Sequence, residues 1–202
     1  MFPIEELINI TPVKTRITAI YDSTYHVVIS SITEDLNNLM VMLPYNIKEQ
    51  SYIDGNPAKT VSFDKNSLSS DTFNELHYNP ASLVYRDRVF LTRPSIKISV
   101  VDSSQIIRTL KDGTSTVPLN TDIHLIVKYY DPDNVGFDKI FSEVKMMDKT
   151  GFLNVPSLFE LDAQTKSFEF VVKSSFPGMV ILRAKDTKYL CSYTPLQLKF
   201  VP

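Results

Sequence analysis

The chain has 202 residues, 43% of them hydrophobic and 22% charged, with a net charge of −2. That composition belongs to an ordinary globular protein and excludes a disordered one. It also lacks the basic excess of a sequence-independent nucleic-acid binder and the dense Lys/Arg cluster of a polybasic membrane patch. Cys191 is the single cysteine, so no intrachain disulfide can form, which points to folding without oxidative help. A chain of this size can bury a sizeable core without disulfides or metals. The start, Met1-Phe2-Pro3-Ile4-Glu5-Glu6-Leu7-Ile8, has neither the basic nor the apolar region of a signal peptide, and no apolar run approaches the length of a membrane helix. The expectation is a protein made in the cytosol of its producer and kept there, or released without a Sec signal.

Residues 1 to 12 carry Phe2, Ile4, Leu7, Ile8 and Ile10 between two prolines, as a short arm or helical turn, or as a first edge strand. Val13 to Ser31 reads as a hairpin. Thr15, Ile17, Ala19 and Tyr21 alternate with their neighbours, Asp22-Ser23-Thr24 turns, and Tyr25 to Ile29 returns. Leu39 to Leu43 reads as a buried strand ended by Pro44, Asp54-Gly55-Asn56-Pro57 as a turn, and Thr60 to Phe63 as a short strand. Asp71 to Leu76 resembles a helix start with Thr72 as cap and Glu75 three residues on. Ser82 to Thr92 reads as a strand interrupted by Arg86-Asp87-Arg88.

Thr92-Arg93-Pro94 is the best boundary, dividing a β-rich region of residues 1–94 from a more regular one of residues 95–202. Ile96, Ile98 and Val100 alternate with polar residues, as do Ile123, Leu125, Val127 and Tyr129. Lys111-Asp112-Gly113 and Asp131 to Asn134 are turns. Phe141 to Met147 and Leu158 to Leu161 are short strands. Phe168, Phe170 and Val172 then fall on one face, and Leu196, Leu198 and Phe200 repeat that period of two. Together with Ile181 these residues form the expected core. About seven short strands at intervals of roughly 8 to 12 residues make the pattern of a sandwich.

Phe176-Pro177-Gly178 followed by Met179 to Ala184, and the closing Leu196 to Val201, resemble the turn and last strands of an immunoglobulin-like domain of the bacterial and tailed-phage kind. The likeness covers about the second half of the chain. Asp186-Thr187-Lys188-Tyr189-Leu190-Cys191 is similar to the Asp-Thr…Tyr-x-Cys signature of antibody variable domains. It is one residue short, however, and has neither a second cysteine nor a tryptophan, so it reads as a turn. The expected fold is mainly β: an immunoglobulin-like β-sandwich preceded by a smaller, irregular β-rich domain with one short helix.

No stretch carries reactive chemistry. Cys191 with His26, His77 and His124 lacks an elbow glycine or flanking signature, and reads as a small buried hydrophobe beside three unrelated histidines. Those histidines lack zinc-ligand spacing. Asp131, Asp133 and Asp138 around Gly136 suggest a calcium loop only loosely, because Val135 stands where an oxygen ligand is needed and Ser142 where a glutamate is. Tyr129-Tyr130 and Tyr189…Tyr193 offer either a sugar-stacking surface or ordinary strand packing. No cofactor is expected, and no enzymatic activity. By elimination, and from the context that the resemblance imports, the leading expectation is a structural protein of a tailed-phage virion, such as a capsid decoration or a neck or tail ring component. It would be made in the host cytoplasm and partnered by other virion proteins and by copies of itself, with no nucleic acid or membrane. Phe2, Ile4, Leu7 and Ile8 would form its interface. The alternative is an extracellular carbohydrate-binding or adhesion sandwich of a bacterium.

Overall fold

The computed structural model describes residues 15–35, 58–101, 108–110, 112–141, 143–148, 150–151 and 153–202. The structure divides into two compact units, residues 1–91 and 92–202. The expected arm with Phe2, Ile4, Leu7 and Ile8, the strand at 39–43 and the turn at 54–57 lie outside the described residues.

The first unit is built on β1 (Thr15–Asp22), which lies between β2 (Val28–Asp35) and β3 (Ala58–Asp64) in an antiparallel sheet. Asp22 closes the β1–β2 connection by accepting the Thr24 and Tyr25 amides at 3.1 and 2.5 Å. Helix α1 (Ser70–Tyr78) buries Leu76 against Ile17, Ala19, Val28 and Leu83. Its cap is Ser69, whose hydroxyl oxygen accepts the Thr72 amide at 3.1 Å, so the expected cap moves back three residues. The Ser31 hydroxyl ties the sheet to the helix by donating to the Leu76 carbonyl. The expected single strand over Ser82 to Thr92 is instead a hairpin of β4 (Leu83–Arg86) and β5 (Val89–Thr92). Asp87 and Arg88 form its two-residue turn with φ of 52° and 66°, the mirror-image turn whose twist suits a tight hairpin.

The second unit is a two-sheet sandwich of immunoglobulin-like type. One sheet has the order β12 (Ser167–Val172), β9 (Ile123–Tyr130), β6 (Ser95–Val100), β14 (Ser192–Thr194). The other runs β11 (Leu158–Glu160), β10 (Glu143–Asp148), β13 (Gly178–Asp186), β15 (Leu196–Val201), β8 (Ser115–Pro118), β7 (Arg108–Thr109). Most neighbours are antiparallel, but β15 pairs parallel with β8 and β14 pairs parallel with β6. A single run of chain therefore serves both sheets: β14 closes the smaller one, and after Pro195 the chain continues as β15 in the larger. Short β7, β8 and β14 raise the strand number above the seven expected. β7 and β8 pair across the turn at 112–113, but the pairings of β8 with β15 and of β14 with β6 join residues distant in sequence, which no local turn signal announces.

The core follows the pleat. Ile96, Ile98, Leu125 and Val127 from the smaller sheet are buried, as are Val144, Val180, Leu182, Leu198 and Phe200 from the larger. Val172, Leu196, Leu198 and Phe200 take their expected inward places. Ile181 does not: Val180 and Leu182 occupy the inward positions on either side of it, so Ile181 lies on the outer face. Phe168 and Phe170 are half-buried, because β12 is an edge strand, and Phe168 stacks on Phe159 at 4.2 Å.

Three carboxylates organise the loops. Asp148 accepts the Thr150 hydroxyl and amide at 2.5 and 2.8 Å and the Leu153 amide at 2.9 Å. Asp162 accepts the Gln164 and Thr165 amides at 2.9 and 2.7 Å. Asp186, fully buried, accepts three amides from Lys188, Leu190 and Cys191 at 3.0, 2.9 and 2.8 Å. Partial burial works against ionised Asp148, but the bonds from Thr150 and Leu153 outweigh it and hold its pKa below the usual carboxylate range.

Leu198→Asp places an unpaired charge in the core and should cost at least about 3 kcal/mol of unfolding free energy in urea titrations, while Ile181→Thr on the outer face should cost under about 1 kcal/mol. The lowered pKa of Asp148 means that its native hydrogen bonds add stability above the unfolded-state pKa near 3.9, and that this contribution disappears as pH falls through the native value. Asp148→Asn should therefore lower thermal stability at pH 7 and narrow its gap to the parent protein in melts between about pH 4 and pH 2.

A candidate cation–aromatic surface

Cys191 is buried, and burial together with the neighbouring Asp186 carboxylate raises its thiol pKa, the opposite of what a nucleophile needs. The histidines have other partners. His26 stacks on Tyr21, and His77 lies between Phe73 and Tyr78 with Nδ1 2.8 Å from the Thr33 hydroxyl. His124 is exposed on β9. Among the described residues no three His, Cys, Asp or Glu side chains are grouped to hold a metal.

The loose calcium loop is held by other contacts. Asp131 accepts the Val135 and Gly136 amides at 2.8 and 2.7 Å and the Tyr129 hydroxyl at 2.9 Å. Asp133 accepts the Thr92 amide at 2.6 Å, and Asp138 pairs with Lys166 at 2.9 Å. The three carboxylates thus serve different partners. Tyr129 is a core residue, and burial plus its bond to Asp131 raises its phenol pKa. Arg93 secures the same end of the sandwich. Its guanidinium donates to the Leu190 and Tyr189 carbonyls at 2.5 and 2.7 Å, and burial lowers its pKa.

The outer faces differ from this closed interior. On the larger sheet, register sets Lys145 directly opposite Lys185 and Met147 opposite Arg183. On the smaller sheet it sets Lys97 opposite Lys128. Like charges across a ladder repel. Each pair has an aromatic answer: Lys97 and Lys128 lie 5.1 and 5.7 Å from the Tyr130 ring centre, and Lys185 lies 4.3 Å from Tyr193 and 5.5 Å from Tyr189. The Arg183 guanidinium is 5.9 Å from the Tyr193 ring. Such contacts return about 0.5–1 kcal/mol each at exposed sites. Among the described residues no carboxylate stands within ion-pair distance of Lys97, Lys128, Lys145, Arg183 or Lys185, and the Arg183 Nε is buried without a hydrogen-bond partner.

Lys185 and Tyr193 come together because β13 alternates. Ala184 and Asp186 point inward, so Arg183 and Lys185 point outward, and β14 runs beside the end of β13. Of the two tyrosine pairs read from the sequence, Tyr189 and Tyr193 meet the cations of the larger sheet and Tyr130 those of the smaller, while Tyr129 is a core residue. The cations were not among the sequence-derived site residues, since only strand register brings them together. Phe2, Ile4, Leu7 and Ile8 lie outside the described residues, so the proposed arm interface has no structural counterpart here.

No protein-family model matches the chain. No curated protein matches it either. Among solved structures, the D0-D1 domain of intimin is similar at 17% identity and a TM-score of 0.31, over 52% of this chain and 46% of that one. The D00-D0 domain of intimin gives 12% identity and a TM-score of 0.34, over 86% of this chain and 63% of that one. Domains 4 and 5 of the S-layer protein SbsC give 10% identity and a TM-score of 0.30, over 91% and 99%. The chain thus spans about half of the first of these structures and under two thirds of the second. The assignment of the sandwich rests on the strand order described above.

Proposed function

We propose that the chain is a non-enzymatic structural and adhesive module whose immunoglobulin-like sandwich holds an anionic glycan on the outer face of its larger sheet. The observation that carries this reading is Lys185, set between Tyr189 and Tyr193, across the ladder from Lys145 and beside Arg183, with no carboxylate within ion-pair distance among the described residues. A carboxylated or sulfated sugar supplies both missing elements. Its charge offsets the facing cations, and its ring offers an apolar face to Tyr189, which is 55% exposed. The commitment of buried Asp186 and of partly buried Arg93 and Asp131 to structural contacts, mostly with loop main chain, supports the non-enzymatic part. This is the adhesion or carbohydrate-binding role of an extracellular bacterial sandwich. The virion assembly role remains a proposal on Phe2, Ile4, Leu7 and Ile8, and no contact of the described residues favours it.

Immobilised heparin and polygalacturonate should bind the protein in biolayer interferometry, neutral dextran should not, and binding should weaken with salt. Lys185→Ala and Tyr193→Ala should each weaken binding about tenfold, equivalent to about 1.4 kcal/mol, with unchanged circular dichroism. Equal capture by dextran, retention of full affinity in both variants, or preferential binding of oligo-dT would overturn the reading.

A further inference from the structure

The smaller sheet of the sandwich ends on β12, which has β9 on one side and no strand among the described residues on the other. The Tyr129 amide donates to the Lys166 carbonyl at 2.9 Å, and on the opposite side of β9 the Val101 amide donates to the His124 carbonyl at 2.9 Å. Backbone groups alternate in direction along an antiparallel ladder. Phe168, Phe170 and Val172 therefore turn their N–H and C=O toward β9, while Glu169 and Val171 turn theirs outward, and Lys173 continues the series. The outward carbonyl of Ser167 is taken by the Asp162 amide at 2.8 Å. Beyond it, no described residue bonds the outward main chain of Glu169, Val171 or Lys173.

Natural edges are blunted by proline, bulges or shortness. The other edges here are: β7 has two residues, β11 has three, and β14 has three and is followed by Pro195. β12 has six residues, no proline, no glycine and an unbroken register. Its outer-face side chains, Glu169, Val171 and Lys173, are all exposed, Val171 at 47%.

That triplet is complementary to itself. In an antiparallel pair about a two-fold axis at Val171, Val171 faces Val171, and Glu169 of each copy faces Lys173 of the other. The residues brought together are the ones whose backbone groups point outward, so ladder bonds and charge pairs coincide. Moving the axis by one residue loses both charge pairs. Moving it by half a residue sets outward groups against inward ones and puts side chains on opposite faces. Lys173 already lies 3.3 Å from Asp122 on its own β9 side, so its ammonium would sit between two carboxylates.

We propose that β12 is a dimerisation edge, pairing with β12 of a second copy so that two four-stranded sheets become one continuous eight-stranded sheet. The interface is isologous and small, so the dimer is weak and concentration-dependent. It uses a different sheet from the proposed glycan surface and stands or falls separately from it.

Sedimentation velocity of the full chain over a range of concentrations tests this. The expected result is a reversible monomer–dimer equilibrium that shifts to monomer at high salt. Val171→Pro removes an N–H that points away from β9, so the monomer keeps its ladder and its circular dichroism while the dimer is lost. Glu169→Lys and Lys173→Glu each set like charges opposite one another twice and should weaken dimerisation about tenfold or more. The double variant Glu169→Lys with Lys173→Glu restores the opposite charges across the axis and should dimerise more tightly than either single variant, short of the parent because position 173 then carries a carboxylate beside Asp122. A protein that stays monomeric at every concentration, a dimer that survives Val171→Pro, or a double variant no better than the singles would overturn the proposal.

Discussion

A strand can turn only one of its faces to the core, and in the second unit the orientation of β13 settles what its neighbours do. Val180, Leu182, Ala184 and Asp186 face inward, filling the layer opposite Ile96 and Leu125. Asp186 completes that layer as a polar residue made compatible with burial by three main-chain donors. Those bonds fix the loop that delivers Leu190 and Cys191 to the interior and starts β14. The same alternation forces Arg183 and Lys185 outward, where the ladder with β10 sets Lys185 against Lys145. The core and the cationic surface are two sides of one register.

This explains how far the sequence could be read. Where apolar and polar residues alternate, strictly in β6 and over most of β15, the period of two gives both the strand and its buried face. Met179 to Leu182 is apolar on both faces, and periodicity there cannot choose between Val180 and Ile181. Asp186 would mislead any rule that keeps carboxylates outside, because its partners are amides that become neighbours only once the loop has folded. Phe168 and Phe170 have the pattern of core residues, but an edge strand is covered from one side only. The short polar strands β8 and β14 have no apolar signature at all. The run Ser69-Ser70-Asp71-Thr72 offers several residues able to cap a helix, and the choice of Ser69 depends on where α1 meets the sheet.

The candidate surface was legible by half. Tyr189 and Tyr193 stand out in the sequence as an aromatic pair that suits either sugar stacking or strand packing. Their cationic company comes from residues on separate strands, Lys145 and Lys185 lying 40 positions apart, and no local pattern encodes that meeting. Cross-strand repulsion of this kind lowers the stability of the isolated domain slightly. It occurs on both outer faces, where no described carboxylate comes within ion-pair distance of the facing cations.

The run from β14 through Pro195 into β15 has a mechanical meaning. β14 lies parallel to β6, where the chain enters the sandwich, and β15 lies parallel to β8 and antiparallel to β13, where the chain leaves it. Tension applied between the two ends of this unit would draw β6 and the closing strands past one another along their lengths. The ladder bonds would then be loaded together in shear, unlike those of a hairpin such as β4–β5, which can open one after another. Resistance to pulling is governed by the rate of crossing that barrier rather than by equilibrium stability. The crossover of one chain segment between two sheets thus ties the strand by which the chain enters this unit to the strand by which it leaves, through ladders that run along the line between them.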